Sequence, residues 1–216
     1  MNIIITGNSK GIGLAISKKW SMIGAINNYM NHGYYAISRT NNIDVRNYNE
    51  ISGFIREIFA LGQRPIALIN NAGIIKMGTI LETNEKDWKD QFDVNVNGVF
   101  NCSKIYTEMC IKHNFKGKII NIASTAGLSS RPGRSAYSAT KAAVINFSLS
   151  LAEEVKEYGI KVYCVCPSAV DTDMRHYICP DDDFVSMLKP NEIAEFICNL
   201  IIDGKYLDNQ ILKVEK

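Results

Sequence analysis

The sequence predicts an α/β domain: a doubly wound parallel β-sheet with helices on both faces, in three α/β/α layers. Three observations predict it. Short β-branched runs alternate with segments of helical period along the whole chain. The runs are almost wholly apolar, as befits strands covered on both faces. The first run also feeds directly into a glycine-rich turn that opens a helix. At ~150 residues per domain, the 216 residues suit one domain spanning 1–216, and no repeat or linker divides them.

Taken in order, residues 2–5 form the first strand and residues 6–13 the turn. A helix is expected over 11–31, because Ile12, Ala15, Ile16, Trp20, Ile23 and Ile26 recur at threes and fours. Residues 34–38 read as a strand, and 43–45 as a very short one if they pair at all. Residues 50–61 are helical, 65–70 a strand, and 85–113 a long helix containing one glycine, Gly98. The strand 118–123 follows Gly117, and the helix 135–158 stops at Gly159. Residues 161–166 form a strand ended by Pro167. The stretch 171–189 reads as a loop with an acidic turn at 181–183, either solvated or a flap over a pocket. A helix entered through Pro190 covers 191–202, and a strand over 210–214 closes the chain.

Composition narrows the function classes. Lys and Arg number 24 and Asp and Glu 22, a net charge of +2, so no electrostatic footprint for nucleic acid or an anionic membrane is expected. No apolar run approaches the ~20 residues of a membrane span. No secretory leader is expected, since a turn signal arrives at Thr6 and Gly7. Cys102, Cys110, Cys164, Cys166, Cys179 and Cys198 form no CxxC pair, and the three histidines are scattered. Reduced, mostly buried thiols in a cytoplasmic protein are expected, and no metal site.

The turn points to a nucleotide. Glycines let the backbone approach a pyrophosphate, and the following helix N-terminus offers unpaired N–H groups to the anion. The spacing Gly7-x-x-x-Gly11-x-Gly13 departs from G-x-G-x-x-G. With Thr6 in front, followed by Asn70-Asn71-Ala72-Gly73 and Tyr137-x-x-x-Lys141, the motifs resemble the compact short-chain dehydrogenases/reductases. Asn95, Ser124 thirteen residues before Tyr137, and Pro167 are similar too, and the resemblance spans residues 2–214. It implies a Rossmann-type fold and a bound NAD(P). Gly7, Ser9, Lys10, Gly11, Ile12 and Gly13 would meet the pyrophosphate side, Asn71, Ala72 and Gly73 the adenosine side, and Asp44 and Val45 the adenine edge. Pro167, Val170 and Thr172 would stand near the nicotinamide. An acidic residue after the second strand would hold the free ribose 2′-hydroxyl of NAD. The sequence has Arg39 there and Lys10 in the turn, so NADP is expected over NAD.

At the chemical end, Tyr137 and Lys141 are four apart on one helix face. A nearby ammonium favours a phenolate, making Tyr137 a general acid for carbonyl reduction or a base for alcohol oxidation. The resemblance gives Lys141 a second task on the nicotinamide ribose. Ser124 would hold the substrate oxygen, and Asn95 a water in a proton relay. An NADP-dependent carbonyl reductase or alcohol dehydrogenase is thus expected, with a 3-oxoacyl thioester as one candidate substrate. The competing reading is a catalytically silent NADP-binding sensor or scaffold. The family implies a homodimer or homotetramer.

Three departures from the family stand out. Residues 27–32 lengthen the first crossover. Arg39 and Asp44 are too close for a helical crossover, which needs about a dozen residues. Ser168 replaces a glycine after Pro167. Leu128, Ala169, Met174 and Tyr177 are expected to line a fairly open pocket.

Overall fold

The computed structural model describes residues 1–27, 32–129, 131–203 and 211–216. Six strands, β1 (Asn2–Thr6), β2 (Gly33–Ile37), β3 (Ala67–Asn70), β4 (Lys118–Ile122), β5 (Lys161–Pro167) and β6 (Ile211–Val214), form one sheet in the order β2-β1-β3-β4-β5-β6. Every pairing is parallel. The helices are α1 (Gly11–Ile26), α2 (Tyr48–Ala60), α3 (Glu85–Phe92), α4 (Gly98–Lys112), α5 (Ser135–Glu154), α6 (Asp173–Ile178) and α7 (Pro190–Asp203). This is the doubly wound three-layer fold the patterning predicts.

Alternation along the strands explains the unbroken apolar runs. Ile3 and Ile5 face one layer with Trp20, Ile193 and Ile197, so α1 and α7 cover that side. Ile4 faces the other with Ile51, Ile55, Ile105 and Leu151, from α2, α4 and α5. Register across the centre is pinned by a buried polar chain. Asn70 Nδ2 donates to Asn121 Oδ1 at 2.8 Å and to Ser103 Oγ at 2.9 Å, and Asn121 Nδ2 donates to Ser148 Oγ at 2.8 Å. A one-residue slip would strand these amides without partners in the core.

Four expectations are corrected. Among the described residues, 43–45 pair with no strand: β2 is followed by a 3₁₀ turn over Arg39–Asn41, with Asn42 left-handed at φ 57°, and β2 is the outermost strand on that side. Too few residues separate Ile37 from Asp44 for a parallel crossover. The long helix 85–113 is interrupted by a π turn over Asp93–Asn97, and the helix 135–158 tightens to 3₁₀ over Lys156–Tyr158. The stretch 171–189 holds α6, whose first turn is capped by Thr172 Oγ1 accepting from Arg175 N at 3.3 Å. Its acidic turn is tied back by the Arg175–Asp182 ion pair. The expected continuation of α1 through 28–31 and the start of the last strand at Gln210 lie outside the described residues.

Among the described residues no helix is long and apolar enough to cross a membrane, and no cluster of three metal-ligating side chains occurs. All six cysteines are free, and all but Cys179 are buried.

Candidate active site

β1 runs out to β2 on one side while β3 starts the other half of the sheet, so a crevice opens at the C-terminal ends of the central strands. A cavity of about 1420 Å³ fills it. The cavity is lined by Gly7, Ser9, Lys10, Gly11, Ile12, Arg39, Asp44, Val45, Asn71, Ala72, Gly73, Ser124, Tyr137, Lys141, Pro167, Val170 and Thr172, and by Leu128, Ala169, Met174 and Tyr177. Of the residues expected at the site, Gly13 and Asn95 lie behind its wall.

The cofactor end is made of backbone. Thr6 Oγ1 accepts from Asn71 N and Ala72 N, both at 2.9 Å, and Asn71 Nδ2 donates to Gly7 O at 2.9 Å. The Asn-Asn-Ala-Gly segment is thereby stitched to the glycine turn. Gly7 sits at φ 65°, and a Cβ there would lie 2.8 Å from Ala72 Cα; one on Gly13 would lie 2.3 Å from Gly7 O. Neither position tolerates a side chain without opening the turn. The first turn of α1 has no side-chain cap and no acidic residue, and Lys10 stands at its N-cap. Its free N–H groups and positive dipole end therefore face the cavity. This cradle fits the pyrophosphate of a dinucleotide.

Beyond β2 the charges divide. Asp44 is engaged by Arg46, whose Nη2 donates to Oδ2 at 2.6 Å and whose Nε contacts both oxygens. That guanidinium holds the Asp44 carboxyl below its usual range. Arg39 lines the cavity with no carboxylate partner among the described residues. Val45 is buried, its carbonyl accepting from Asn101 Nδ2 at 3.1 Å.

The chemical end is made of side chains. Ser124 closes β4 and accepts from Ala126 N at 3.1 Å. Tyr137 and Lys141 rise from the first turns of α5, with Lys141 Nζ 5.7 Å from the Tyr137 ring centre. The ammonium donates to Ile122 O at 2.9 Å and is 5% exposed. A Cβ on Gly73 would press Asn95 Oδ1 at 3.3 Å and only touch Nζ, at 3.6 Å. Asn95 sits in the π turn, where both ends of its amide are engaged: Oδ1 accepts from Ile74 N at 2.8 Å, and Nδ2 donates to Ile74 O at 2.9 Å and Thr140 Oγ1 at 3.0 Å. Thr140 passes the contact on, donating to Tyr137 O at 2.7 Å. Sequence reasoning missed Thr140, whose only signal is its place three residues after Tyr137.

Burial sets the proton affinities. It pushes the Tyr137 hydroxyl up to about 12, against the downward pull of Ser124 and the Arg134 charge. It pushes Lys141 down to about 8, against the nearby Cys164 and Cys166 thiols. Ser124 and Arg134 both draw the Tyr137 hydroxyl down against burial. Arg134 was also missed; a cation one turn ahead of Tyr137 was its signal.

The comparisons agree with this architecture. The short chain dehydrogenase family model matches residues 1–183. A 3-oxoacyl-[acyl-carrier-protein] reductase of Synechocystis sp. is 30% identical over 98% of this chain and 94% of its own length. Among solved structures, ElxO with NADP bound superposes with a TM-score of 0.83 at 24% identity, covering 99% of this chain and 96% of that one. A 4-hydroxyisoleucine dehydrogenase complexed with NADH gives 0.86 at 24% identity and the same coverage. Family model, full-length relative and fold coincide on one conclusion: the chain belongs to the short-chain dehydrogenase/reductase family of NAD(P)-dependent oxidoreductases.

Proposed function

We propose that the protein reduces a carbonyl to a secondary alcohol with NADPH, Tyr137 acting as general acid. The observation that carries this is the convergence of Ser124, Tyr137 and Lys141 on one wall of a cavity whose other end is a pyrophosphate cradle. When bound, the nicotinamide supplies the hydride for the carbonyl carbon and leaves as NADP⁺. Ser124 Oγ and the Tyr137 hydroxyl hold the carbonyl oxygen, and Tyr137 gives it the proton. A phenol held near 12 is protonated at neutral pH, the form from which a carbonyl oxygen takes its proton. Lys141 faces the space for the nicotinamide ribose and returns the proton to Tyr137. Asn95 positions both, by clamping Ile74 beside Gly73 and Thr140 beneath Tyr137; its proton relay would use the remaining Oδ1 lone pair. Lys10 and the unpaired Arg39 suit the 2′-phosphate of NADP.

The substrate reading rests on the name of the Synechocystis relative, so a 3-oxoacyl thioester is the first compound to assay. Phe100 and Leu149, exposed on α4 and α5, are the apolar residues a homodimer or homotetramer would cover. The five buried thiols suit a reducing cytoplasm. The test is Tyr137→Phe, with NADPH oxidation followed against a carbonyl panel. Loss of turnover with retained NADPH binding is expected. Undiminished turnover would remove Tyr137 as the acid, and NADPH binding without turnover by the wild type on any carbonyl would favour a silent sensor.

A further inference from the structure

We propose that the substrate is a short oxo acid and that Arg134 binds its carboxylate; the proposal rests on the reductase reading above and names its substrate class. The arginines lining the cavity fall into two groups. Arg46 and Arg175 are paired with Asp44 and Asp182. Arg39, Arg131 and Arg134 have no ion pair among the described residues, and of these Arg131 is solvent-exposed at the rim. Arg39 stands at the cofactor end, where a 2′-phosphate accounts for it. Arg134 stands at the other end, half-buried, one helical turn before Tyr137. Its Nη2 reaches the flap and lies 3.1 Å from Cys179 Sγ, a weak acceptor.

Local physics opposes this placement. Arg134 is the N-cap of α5, with no side-chain cap made. That position favours a short oxygen-bearing side chain, and a cation there meets the positive end of the helix dipole. Asn47, Asn84 and Thr172 follow the preference on α2, α3 and α6. A residue that breaks a local rule without a compensating contact marks a functional site. Here the missing contact is an anion: a half-buried guanidinium that lines the cavity has a weak sulfur acceptor and no carboxylate.

Position sets the size of the ligand. The Arg134 charge is close enough to act on the Tyr137 hydroxyl, so a ligand whose carbonyl meets that hydroxyl and whose carboxylate meets Arg134 is a short one. The distant phosphate of a carrier arm does not meet that condition.

The test compares acetoacetate and 4-oxopentanoate with their neutral methyl esters, alongside an N-acetylcysteamine 3-oxoacyl thioester (neutral) and acetoacetyl-CoA. Hydrogen bonds to a charged group are worth roughly 1.5–3 kcal/mol, so kcat/KM for acid over ester should exceed one by about 10–100-fold in the wild type. Arg134→Gln should bring the acid-to-ester ratio of kcat/KM down to about one, chiefly by raising KM for the acids; any change through the Tyr137 hydroxyl falls on acids and esters alike and cancels in that ratio. Arg134→Lys should restore part of the preference, and the wild-type ratio decides the matter even if the Gln variant does not fold. Independently of turnover, butyrate should bind the NADPH-loaded wild type and not the Gln variant by calorimetry. Equal or better use of the esters would overturn the proposal while the reductase reading stands. Preference for acetoacetyl-CoA over both the acids and the neutral thioester would overturn it too, by placing the recognised charge on the carrier arm. Absence of NADPH oxidation with every carbonyl offered would fail the reductase reading itself.

Discussion

The two ends of the cavity are built from different material. The cofactor end is main chain: glycines at positions where a Cβ would strike backbone, a hydroxyl and an amide bridging two strand ends, and an uncapped helix. The chemical end is side chain: a phenol, an ammonium and a hydroxyl whose proton affinities depend on burial. A main-chain site is rigid and fails by sterics. A side-chain site fails by loss of one functional group while the fold around it stands.

The largest effect should come from the chemical end. Tyr137→Phe removes one oxygen from a half-buried ring, so the fold and NADPH affinity should be kept. General acid catalysis is worth typically about 10²–10⁴-fold, and kcat should fall by that order in a steady-state assay. An equal loss of NADPH binding would break the division between the two ends.

The matching change at the cofactor end is Gly13→Ala. Helix propensity alone would make alanine more stable by about 0.8–1.0 kcal/mol in α1. The Cβ would instead sit 2.3 Å from Gly7 O and 2.5 Å from Asn71 Nδ2. Overpacking of this kind costs about 1–3 kcal/mol, so urea unfolding should show a net loss, accompanied by weaker NADPH binding. A gain in stability would mean that the turn yields.

Arg39→Ala sharpens the comparison from within the cofactor end, because it removes a side chain from a mainly main-chain site. Charge-assisted bonds of about 1.5–3 kcal/mol should raise KM for NADPH about 10–100-fold and leave KM for NADH nearly unchanged. Equal effects on both would assign Arg39 to the shared part of the dinucleotide.

The same division explains what the sequence discloses. The glycine turn, the Asn-Asn-Ala-Gly segment and the Tyr137/Lys141 pair are legible because each is a local pattern with a fixed partner in the fold. All six described strands are legible because β-branched runs buried on both faces admit few other structures. Residues 43–45 have the composition of a further strand, and the shortness of the connection already speaks against their pairing. The π turn at Asp93–Asn97 leaves no periodic mark, because its cause is a tertiary clamp from Asn95 to Ile74, twenty-one residues away in sequence. Arg134 and Thr140 escaped for the same reason, since the role of one depends on the cavity and that of the other on Asn95, forty-five residues away in sequence.

The smallest effect tests burial as the setting of the chemical end. The Lys141 ammonium, pushed down to about 8, exists below that pH and is lost above it, while Tyr137 stays protonated to about 12. Reductive kcat/KM, which reports the free enzyme, should therefore be level to about pH 8 and fall up to about tenfold per unit beyond it. Lys141→Arg keeps its charge throughout and should lose that limb. Stability carries the opposite sign. An unfolded lysine keeps its proton to about 10.4 while the folded one sheds it near 8, so the unfolded state binds more protons between these values and folding strengthens as pH rises. Measured from pH 8 to 10, below the range in which Tyr137 titrates, the wild type should gain stability relative to Lys141→Met. A reductive rate that falls while stability rises across one pH window is the signature of a lysine buried uncomfortably for its work. If both quantities stayed level, Lys141 would be solvated in solution and the contrast between the two ends would lose its electrostatic half.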